Sequence, residues 1–282
     1  NATMRGVVKG LSANLTELEV YGFMNGYKGL IYGDYRLLTS RDFSGILTKG
    51  GTILGSSRQP FKLMREPDEK GLDKVEAMKQ NYYKLRLDCL VILGGNGTQK
   101  TANLLREEGL NIIHLPKTID NDLCITDHTP GYGSAAKFVA SSLLEIAHDT
   151  FIYAVKSVTI VEIMGRDAGW QTASSALART TYSQAPDLIY LPEIAFDVDD
   201  FLAKVKELLQ KKSSIVIAVS EGIKLADGRY VCELSGGGDY VDAFGHKQLQ
   251  GTAAYLAGFL GAEIGCKTRS VEFSTLQRSA SH

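Results

Sequence analysis

The sequence has no long apolar run and almost no excess of charge of either sign. None of its 282 residues belongs to an unbroken apolar segment of the roughly 18 residues that a membrane-spanning helix requires. The formal net charge is −1, and no basic stripe with interleaved aromatic residues occurs, which argues against a nucleic-acid surface. We therefore expect neither a membrane nor a nucleic acid as a partner.

Cysteine is scarce and widely spaced. The four cysteines stand at positions 89, 124, 232 and 266, without the spacing of metal ligands, so they predict reduced thiols in a cytoplasmic protein. A chain of 282 residues with 44% hydrophobic residues can bury a large core. This length favours two domains over one.

The most informative stretch begins with an apolar segment at 88–93, which predicts a strand. Gly-Gly-Asn-Gly-Thr follows at 94–98, and a helical pattern covers 99–108. Glycines let backbone N–H groups approach phosphate oxygens, and the N-terminus of a helix adds partial positive charge. The order of strand, glycine loop and helix therefore predicts a phosphate site, although such a loop alone also occurs in unrelated folds.

A second predicted strand, 111–115, leads into Pro-Lys-Thr-Ile-Asp-Asn-Asp at 116–122. Side chains two positions apart fall on the same side of an extended segment, so Asp120 and Asp122 are candidates to face one ligand–metal cluster. A phosphate cradle, a cation at Lys117 and two carboxylates are the groups that phosphoryl transfer uses. The simpler alternative is a solvated acidic turn.

Predicted strands alternate with predicted helices along the chain. The strand patterns cover 17–22, 157–163, 187–191 and 214–219, and the helical patterns cover 68–83, 134–149, 172–178, 200–210 and 248–261. This alternation predicts an α/β fold with mostly parallel sheets that are covered on both faces. Ligands then bind beyond the carboxyl ends of the strands.

Six motifs lie at 50–58, 94–98, 116–122, 164–170, 219–222 and 276–278. Together they resemble the phosphofructokinase family, in the family's order and at about its spacing. The resemblance implies two doubly wound, mostly parallel-sheet domains with the active site in the cleft between them. Residues 1–131 plus 277–282 would form the phosphoryl-donor domain, and 132–276 the sugar-phosphate domain.

The implied activity is phosphoryl transfer from ATP and Mg²⁺ to the 1-hydroxyl of fructose 6-phosphate, a glycolytic reaction. A carboxylate that accepts the hydroxyl proton is needed, and Asp120 matches the family's general base. Thr118 and Lys117 would contact the phosphoryl group, with Asp122 beside Mg²⁺. The implied contacts of the donor phosphates are Arg58, Gly95, Asn96, Gly97 and Thr98.

The resemblance also implies six contacts to the sugar phosphate. They are Met164, Gly165, Arg166, Glu221, Arg269 and Arg278. One of the last two arginines reaches across a subunit interface in the family, so we expect a homodimer or homotetramer. Ser157 and Thr275 replace basic residues of the family pattern, which puts the contacts between subunits in question.

Two positions bear on the metal and the donor. Asn96 stands where an aspartate usually meets Mg²⁺; its carbonyl oxygen can still bind the ion, so Asn96 and Asp122 are the expected metal ligands. Gly97 stands where pyrophosphate-using members carry aspartate, which favours ATP, whereas Lys117 is typical of pyrophosphate users.

Three alternatives remain open on the sequence. The first is a pyrophosphate-dependent phosphotransferase acting on fructose 6-phosphate. The second is a non-catalytic regulatory subunit that binds the sugar phosphate, and the third is a lipid or NAD kinase with a similar glycine loop. Because Asn1 matches the end of a family loop that follows an earlier strand, we also expect the chain to be trimmed at both ends.

Overall fold

The computed structural model describes residues 1–152, 154–235, 249 and 251–279. By its internal contacts the chain divides into two compact units. The first comprises Asn1–Thr118 and Leu123–Ile125, and the second comprises Ile119–Asp122 and the described residues from 126 onward. The contacts therefore divide the chain near residue 118, whereas the predicted boundary is at 131. They group residues 277–279 with the second unit, and residues 280–282 lie outside the described residues. The functional roles of the two domains stay a prediction.

The first unit contains four helices and four strands among its described residues. The helices are α1 (Ala2–Asn14), α2 (Tyr27–Tyr32), α3 (Lys74–Lys84) and α4 (Asn96–Glu107). The strands are β1 (Val20–Phe23), β2 (Tyr35–Leu38), β3 (Leu90–Gly94) and β4 (Ile112–Pro116). Strands β1 and β2 pair antiparallel, and β3 and β4 pair parallel with Gly94 opposite Pro116.

Helix α3 begins at Lys74, whereas the sequence pattern places its start at 68. The Asp73 carboxylate accepts from the N–H groups of Val75 and Glu76 and so caps the first turn. Asp68 instead accepts from the N–H groups of Lys70 and Leu72, which closes a separate turn. A carboxylate that bonds to its own following backbone stabilises a turn and competes with a helix.

The second unit is built around a four-stranded parallel sheet. Its strands are β5 (Ser157–Ile163), β6 (Leu188–Tyr190), β7 (Ser214–Ser220) and β8 (Lys267–Glu272). Their order is β6-β7-β5-β8, and all three pairings are parallel. Its helices are α5 (Tyr132–Phe151), α6 (Trp170–Ser174), α7 (Val198–Lys211), α8 (Thr252–Ile264) and α9 (Leu276–Ser279).

Helices cover both faces of this sheet. One face packs residues such as Ile160 and Ile217 against α7 and α8. The opposite face packs Val161 and Val216 against α5. Every residue of β5 and β7 is buried, as expected of central strands that are covered on both sides. The predicted α/β fold with a parallel sheet is thus confirmed.

Several details differ from the sequence pattern. Helix α2 and strands β2 and β8 were not predicted, and the segment predicted as a helix over 172–178 is α6 followed by a 3₁₀ turn. Helix α8 begins at Thr252, whereas 248, its predicted start, lies outside the described residues. No helix in the described ranges is long and apolar enough to cross a membrane.

Candidate active site

The glycine loop joins β3 directly to α4. Gly95 is the N-cap of α4, and its backbone is extended, with no side chain capping the helix. The first turn of α4 also carries no acidic residue. Because the first N–H groups of a helix have no partner inside it, those of α4 are available to an anion, and the helix dipole favours one there.

The glycines of this loop serve different purposes. A Cβ atom at Gly94 would lie 2.5 Å from Thr98 Oγ1, so the tight turn requires glycine there. A Cβ atom at Gly97 would meet nothing within 4 Å. The fold itself therefore leaves open space beside Gly97.

Residues 25–27 contact the glycine loop and the segment that carries Arg58. The Tyr27 hydroxyl donates to the backbone oxygen of Thr98 at 2.8 Å, and Ser57 Oγ donates to the backbone oxygen of Asn25 at 2.6 Å. Burial raises the pKa of Tyr27, so its hydroxyl stays protonated. Arg58 follows Ser57 directly and is exposed. Sequence analysis missed Tyr27, whose only signal is a tyrosine in a glycine-rich segment.

Lys117 and Thr118 border the glycine loop on its other side. The Lys117 N–H donates to the backbone oxygen of Gly94 at 2.9 Å, which extends the pairing of β3 with β4 by one bond. A Cβ atom at Gly95 would lie 3.8 Å from Thr118 Cβ. Within the first unit, the predicted residues 95–98, 117 and 118 are thus brought together.

Asn121 fixes the turn between the two candidate carboxylates. Its backbone has φ 56°, the left-handed region, and its side chain is buried. Its Oδ1 accepts from the Thr129 N–H at 2.9 Å, and its Nδ2 donates to the backbone oxygen of Asp127 at 3.1 Å. The backbone therefore bends at Asn121, and the arrangement of Asp120 and Asp122 around one ligand–metal cluster stays a prediction. Asp120 is half-buried and Asp122 is exposed.

Glu221 lies at the carboxyl end of β7 and contacts the segment that follows β5. Its Oε1 accepts from the N–H groups of Gly165 at 3.3 Å and Arg166 at 3.1 Å. Burial raises the pKa of the Glu221 carboxyl; the two amides and the Arg166 charge oppose the rise, and the negative charge of Asp120 adds to it. The second unit therefore brings Asp120, Arg166 and Glu221 into one electrostatic group.

Close packing holds this group in place. A Cβ atom at Gly222 would lie 1.8 Å from the backbone oxygen of Arg166, so the approach requires glycine. The buried Gln277 side chain accepts from the Met164 N–H at 3.0 Å, and the buried Gln171 donates to the backbone oxygen of Ile119 at 2.6 Å. These two amides link α9 and α6 to the segments that carry the predicted substrate and catalytic residues.

The two remaining arginines lie in different settings. Arg278 follows Gln277 on α9 and is exposed. Arg269 pairs in register with Thr159, within the strands rather than at their carboxyl ends, and forms an ion pair with Asp149 at 2.5 Å. The structure does not bring Arg269 to the group formed by Asp120, Arg166 and Glu221, and its contact with a sugar phosphate stays a prediction.

Glu162 is a buried carboxylate that the sequence analysis did not single out. Its Oε2 accepts from the Ala253 N–H at 2.8 Å, and burial raises the pKa of Glu162 to about 7. The available signal was a single acidic residue inside an apolar, β-branched strand.

Comparison with known proteins identifies the family. The sequence model of the phosphofructokinase family matches residues 1–281. The chain belongs to the phosphofructokinase family. One curated relative is the ATP-dependent 6-phosphofructokinase of Spirochaeta thermophila, which is 46% identical over 228 residues, or 79% of this chain and 60% of that protein. Another is the pyrophosphate–fructose 6-phosphate 1-phosphotransferase of Xanthomonas campestris, which is 37% identical over 295 residues, or 100% of this chain and 68% of that protein.

Solved phosphofructokinase structures share the fold. The pyrophosphate-dependent phosphofructokinase of Nitrosospira multiformis superposes with a TM-score of 0.81 at 28% identity, covering 100% of this chain and 67% of that one. The phosphofructokinase of Saccharomyces cerevisiae gives a TM-score of 0.77 at 23% identity, covering 99% of this chain and 37% of that one. The chain thus spans between 37% and 68% of the length of these four proteins.

Proposed function

We propose that this phosphofructokinase transfers a phosphoryl group from ATP to the 1-hydroxyl of fructose 6-phosphate, giving fructose 1,6-bisphosphate. The observation that carries the proposal is that the Glu221 carboxylate, at the end of β7, accepts from the N–H groups of Gly165 and Arg166 after β5. The negative charge of Asp120 also acts on this carboxylate. A carboxylate, a guanidinium and a second carboxylate suit a sugar phosphate, because they pair with its hydroxyls and its phosphate.

In this proposal Asp120 accepts the proton of the attacking hydroxyl, as a positioned general base does in phosphoryl transfer. Glu221 holds sugar hydroxyls, and Met164, Gly165 and Arg166 contact the sugar phosphate. Arg278 and Arg269 are the proposed contacts of the 6-phosphate. The first turn of α4 has no capping side chain, which supports binding of the donor phosphates by the backbone N–H groups of residues 95–98. Arg58, Thr118 and Lys117 are the proposed further polar contacts.

ATP is the proposed donor because nothing lies within 4 Å of the position that a Cβ atom of residue 97 would occupy. A nucleotide needs this space beside the donor phosphates, whereas pyrophosphate does not. The name of the Spirochaeta thermophila relative, 46% identical, supports ATP as well. Pyrophosphate is the second candidate, because Lys117 is typical of pyrophosphate users and because some relatives are named for pyrophosphate.

Mg²⁺ is the proposed metal. It prefers oxygen ligands and usually keeps several waters beside one or two protein groups and the substrate phosphates. The proposed ligands are Asn96 and Asp122, two exposed residues whose side chains carry oxygen atoms, and no group of three acidic, histidine or cysteine ligands occurs among the described residues. When bound, the ion would neutralise charge on the phosphates. We also propose that the protein forms a homodimer or homotetramer and is located in the cytoplasm.

A substitution at Asp120 distinguishes between two hypotheses: an enzyme, and a regulatory subunit that only binds the sugar phosphate. We expect Asp120→Asn to lower kcat by about 10²–10⁴-fold, the usual loss for a general base, while calorimetric binding of fructose 6-phosphate persists. The matched control is Asp127→Asn, which makes the same change on an exposed residue of the same turn whose contact to Asn121 uses only its backbone oxygen. Full turnover in Asp120→Asn would contradict the mechanism, and a wild-type protein that binds the sugar without turnover would favour the regulatory subunit.

A further inference from the structure

Glu162 places a carboxylate inside a fully buried strand, immediately before the predicted substrate segment. It is 5% exposed, and all seven residues of β5 are buried. Residues 164–166 follow the strand directly. A buried carboxylate at this position is costly unless it has partners, so its contacts indicate what it does.

The carboxylate caps a helix that has no cap of its own. Helix α8 begins after Gly251, which has φ 91° and offers no side chain to the first N–H groups. Glu162 Oε2 accepts from the Ala253 N–H at 2.8 Å. An anion at the N-terminus of a helix is favoured by the helix dipole and by the unpaired N–H groups.

The same turn of α8 holds Glu221. Thr252, which is fully buried, donates from Oγ1 to the backbone oxygen of Glu221 at 3.2 Å. The Glu221 carboxylate in turn accepts from the N–H groups of Gly165 and Arg166. A continuous series of contacts therefore runs from Glu162 through the first turn of α8 to the proposed sugar-binding group.

Among the described residues, the groups that act on Glu162 come from β7, β8, the start of α8 and the segment that carries Cys232. Glu221 at the end of β7 and Glu272 on β8 add to the effect of burial and raise the pKa of Glu162, whereas the amides of Ala253 and Gly251 oppose it. Cys232 also faces Glu162: burial raises the pKa of that thiol, and the charge of Glu162 adds to the rise. The first turn of α8 carries no acidic side chain.

We propose that Glu162 is a positioning residue for the sugar-phosphate site, and that its ionised carboxylate holds Glu221 and Arg166 in place through the first turn of α8. The inference rests on the proposed function. Hydrogen bonds to an ionised acceptor are roughly twice as strong as those to a neutral one. The site is therefore held more firmly when Glu162 is charged, and affinity for the sugar phosphate depends on pH through a residue that does not touch it.

Glu162→Gln keeps the shape and an acceptor oxygen but removes the charge at every pH. We expect its KM for fructose 6-phosphate to equal that of the wild-type protein near pH 6 and to be about fivefold higher near pH 8, with kcat unchanged within about twofold. The phosphate of the substrate also titrates in this range, but it affects both proteins equally, so the ratio of the two KM values isolates Glu162. Asp197→Asn is the matched control, because Asp197 also caps a helix of this unit, α7, through the Asp200 N–H.

Thr252→Val tests whether Glu162 acts on the sugar-phosphate site through the first turn of α8. Valine has nearly the same shape and lacks the hydroxyl that donates to Glu221, so we expect a higher KM at both pH values. Combined with Glu162→Gln, the two changes should be less than additive near pH 8, as for residues that act through one contact.

The outcomes separate this inference from the function on which it rests. A wild-type protein that neither binds nor converts fructose 6-phosphate overturns both. A wild-type protein with normal turnover and a KM ratio that is constant with pH overturns the role of Glu162 alone. A Glu162→Gln protein that loses folded structure and affinity together at every pH also overturns it, because the role would then be structural.

Discussion

In the proposed function, Gly97 is the residue on which the choice of phosphoryl donor depends most directly. It lies in the first turn of α4, where no side chain caps the helix and no protein atom fills the space that a side chain would occupy. The packing of the fold therefore does not require glycine at this position. We propose that glycine there leaves room beside the donor phosphates.

We expect Gly97→Asp to lower kcat/KM for ATP by more than about tenfold, because a carboxylate would add both bulk and a like charge beside the nucleotide phosphates. An aspartate in the first turn of a helix favours folding, so the loss should not come from unfolding. Activity with each donor, measured separately, checks the prediction. Gly97→Ala is the control for bulk without charge, and unchanged ATP use in Gly97→Asp would show that residue 97 does not select the donor.

The junction between β5 and β7 shows how closely two elements must approach to form the site. Gly222 follows β7, and its Cα hydrogen faces the backbone oxygen of Arg166, which follows β5. The contact aligns the amides of Gly165 and Arg166 with the Glu221 carboxylate. Packing at the backbone level therefore determines the geometry of the proposed sugar contacts.

We expect Gly222→Ala to lower the free energy of unfolding by about 1–3 kcal/mol, as overpacking does, and to raise the KM for fructose 6-phosphate. Gly258→Ala makes the same substitution in the exposed interior of α8, where nothing lies within 4 Å. There we expect a gain of about 0.5–1 kcal/mol, because alanine favours a helix over glycine. Urea unfolding measures both, and a loss of equal size in the two variants would contradict the packing argument.

The sequence predicts helices and strands well where one hydrophobic periodicity dominates. The apolar, β-branched runs of β5 and β7 and the amphipathic pattern of α7 indicate their elements within a few residues of the observed bounds. Strand β8 is different: Lys-Thr-Arg-Ser-Val-Glu is mostly polar because β8 is an edge strand and only partly buried. Its pairing with β5, rather than its own pattern, makes it a strand.

The candidate site was predictable in its motifs and not in its supporting contacts. Glycines, carboxylates and arginines at strand ends indicate chemistry from the sequence alone. The turn at Asn121 depends on side-chain contacts to residues 127 and 129, and the capping of α8 by Glu162 joins residues 91 positions apart. No local pattern encodes such contacts, so these two residues became visible only in the folded chain.

At the scale of the whole molecule, Glu162 makes stability depend on pH. Its pKa is raised from 4.5 to about 7 in the folded state, so between these values the folded protein binds more protons at this position than the unfolded chain does. The contribution of Glu162 to stability is therefore full below about pH 4.5 and decreases as pH rises, and above about pH 7 the charged form costs about 3 kcal/mol.

We accordingly expect Glu162→Gln to be more stable than the wild-type protein near pH 8, by up to about 3 kcal/mol, with the difference disappearing toward pH 4.5. Urea unfolding across this range gives the difference, and Asp197→Asn controls for the loss of one carboxylate at a helix N-terminus. Lower stability of Glu162→Gln near pH 8 would contradict the cost of burying the charge. Higher stability together with weaker sugar binding would mean that the charged group serves function at the expense of folding.

The most direct test of the proposed function is a coupled assay of the full-length protein with fructose 6-phosphate and Mg²⁺, in which ATP and pyrophosphate are offered in parallel. We predict turnover with ATP and little or none with pyrophosphate, because the space beside Gly97 admits a nucleotide. Turnover with pyrophosphate alone would contradict the assignment of the donor and place the decision at Lys117. Failure with both donors, in a protein that still binds the sugar phosphate, would contradict the assignment of an enzyme.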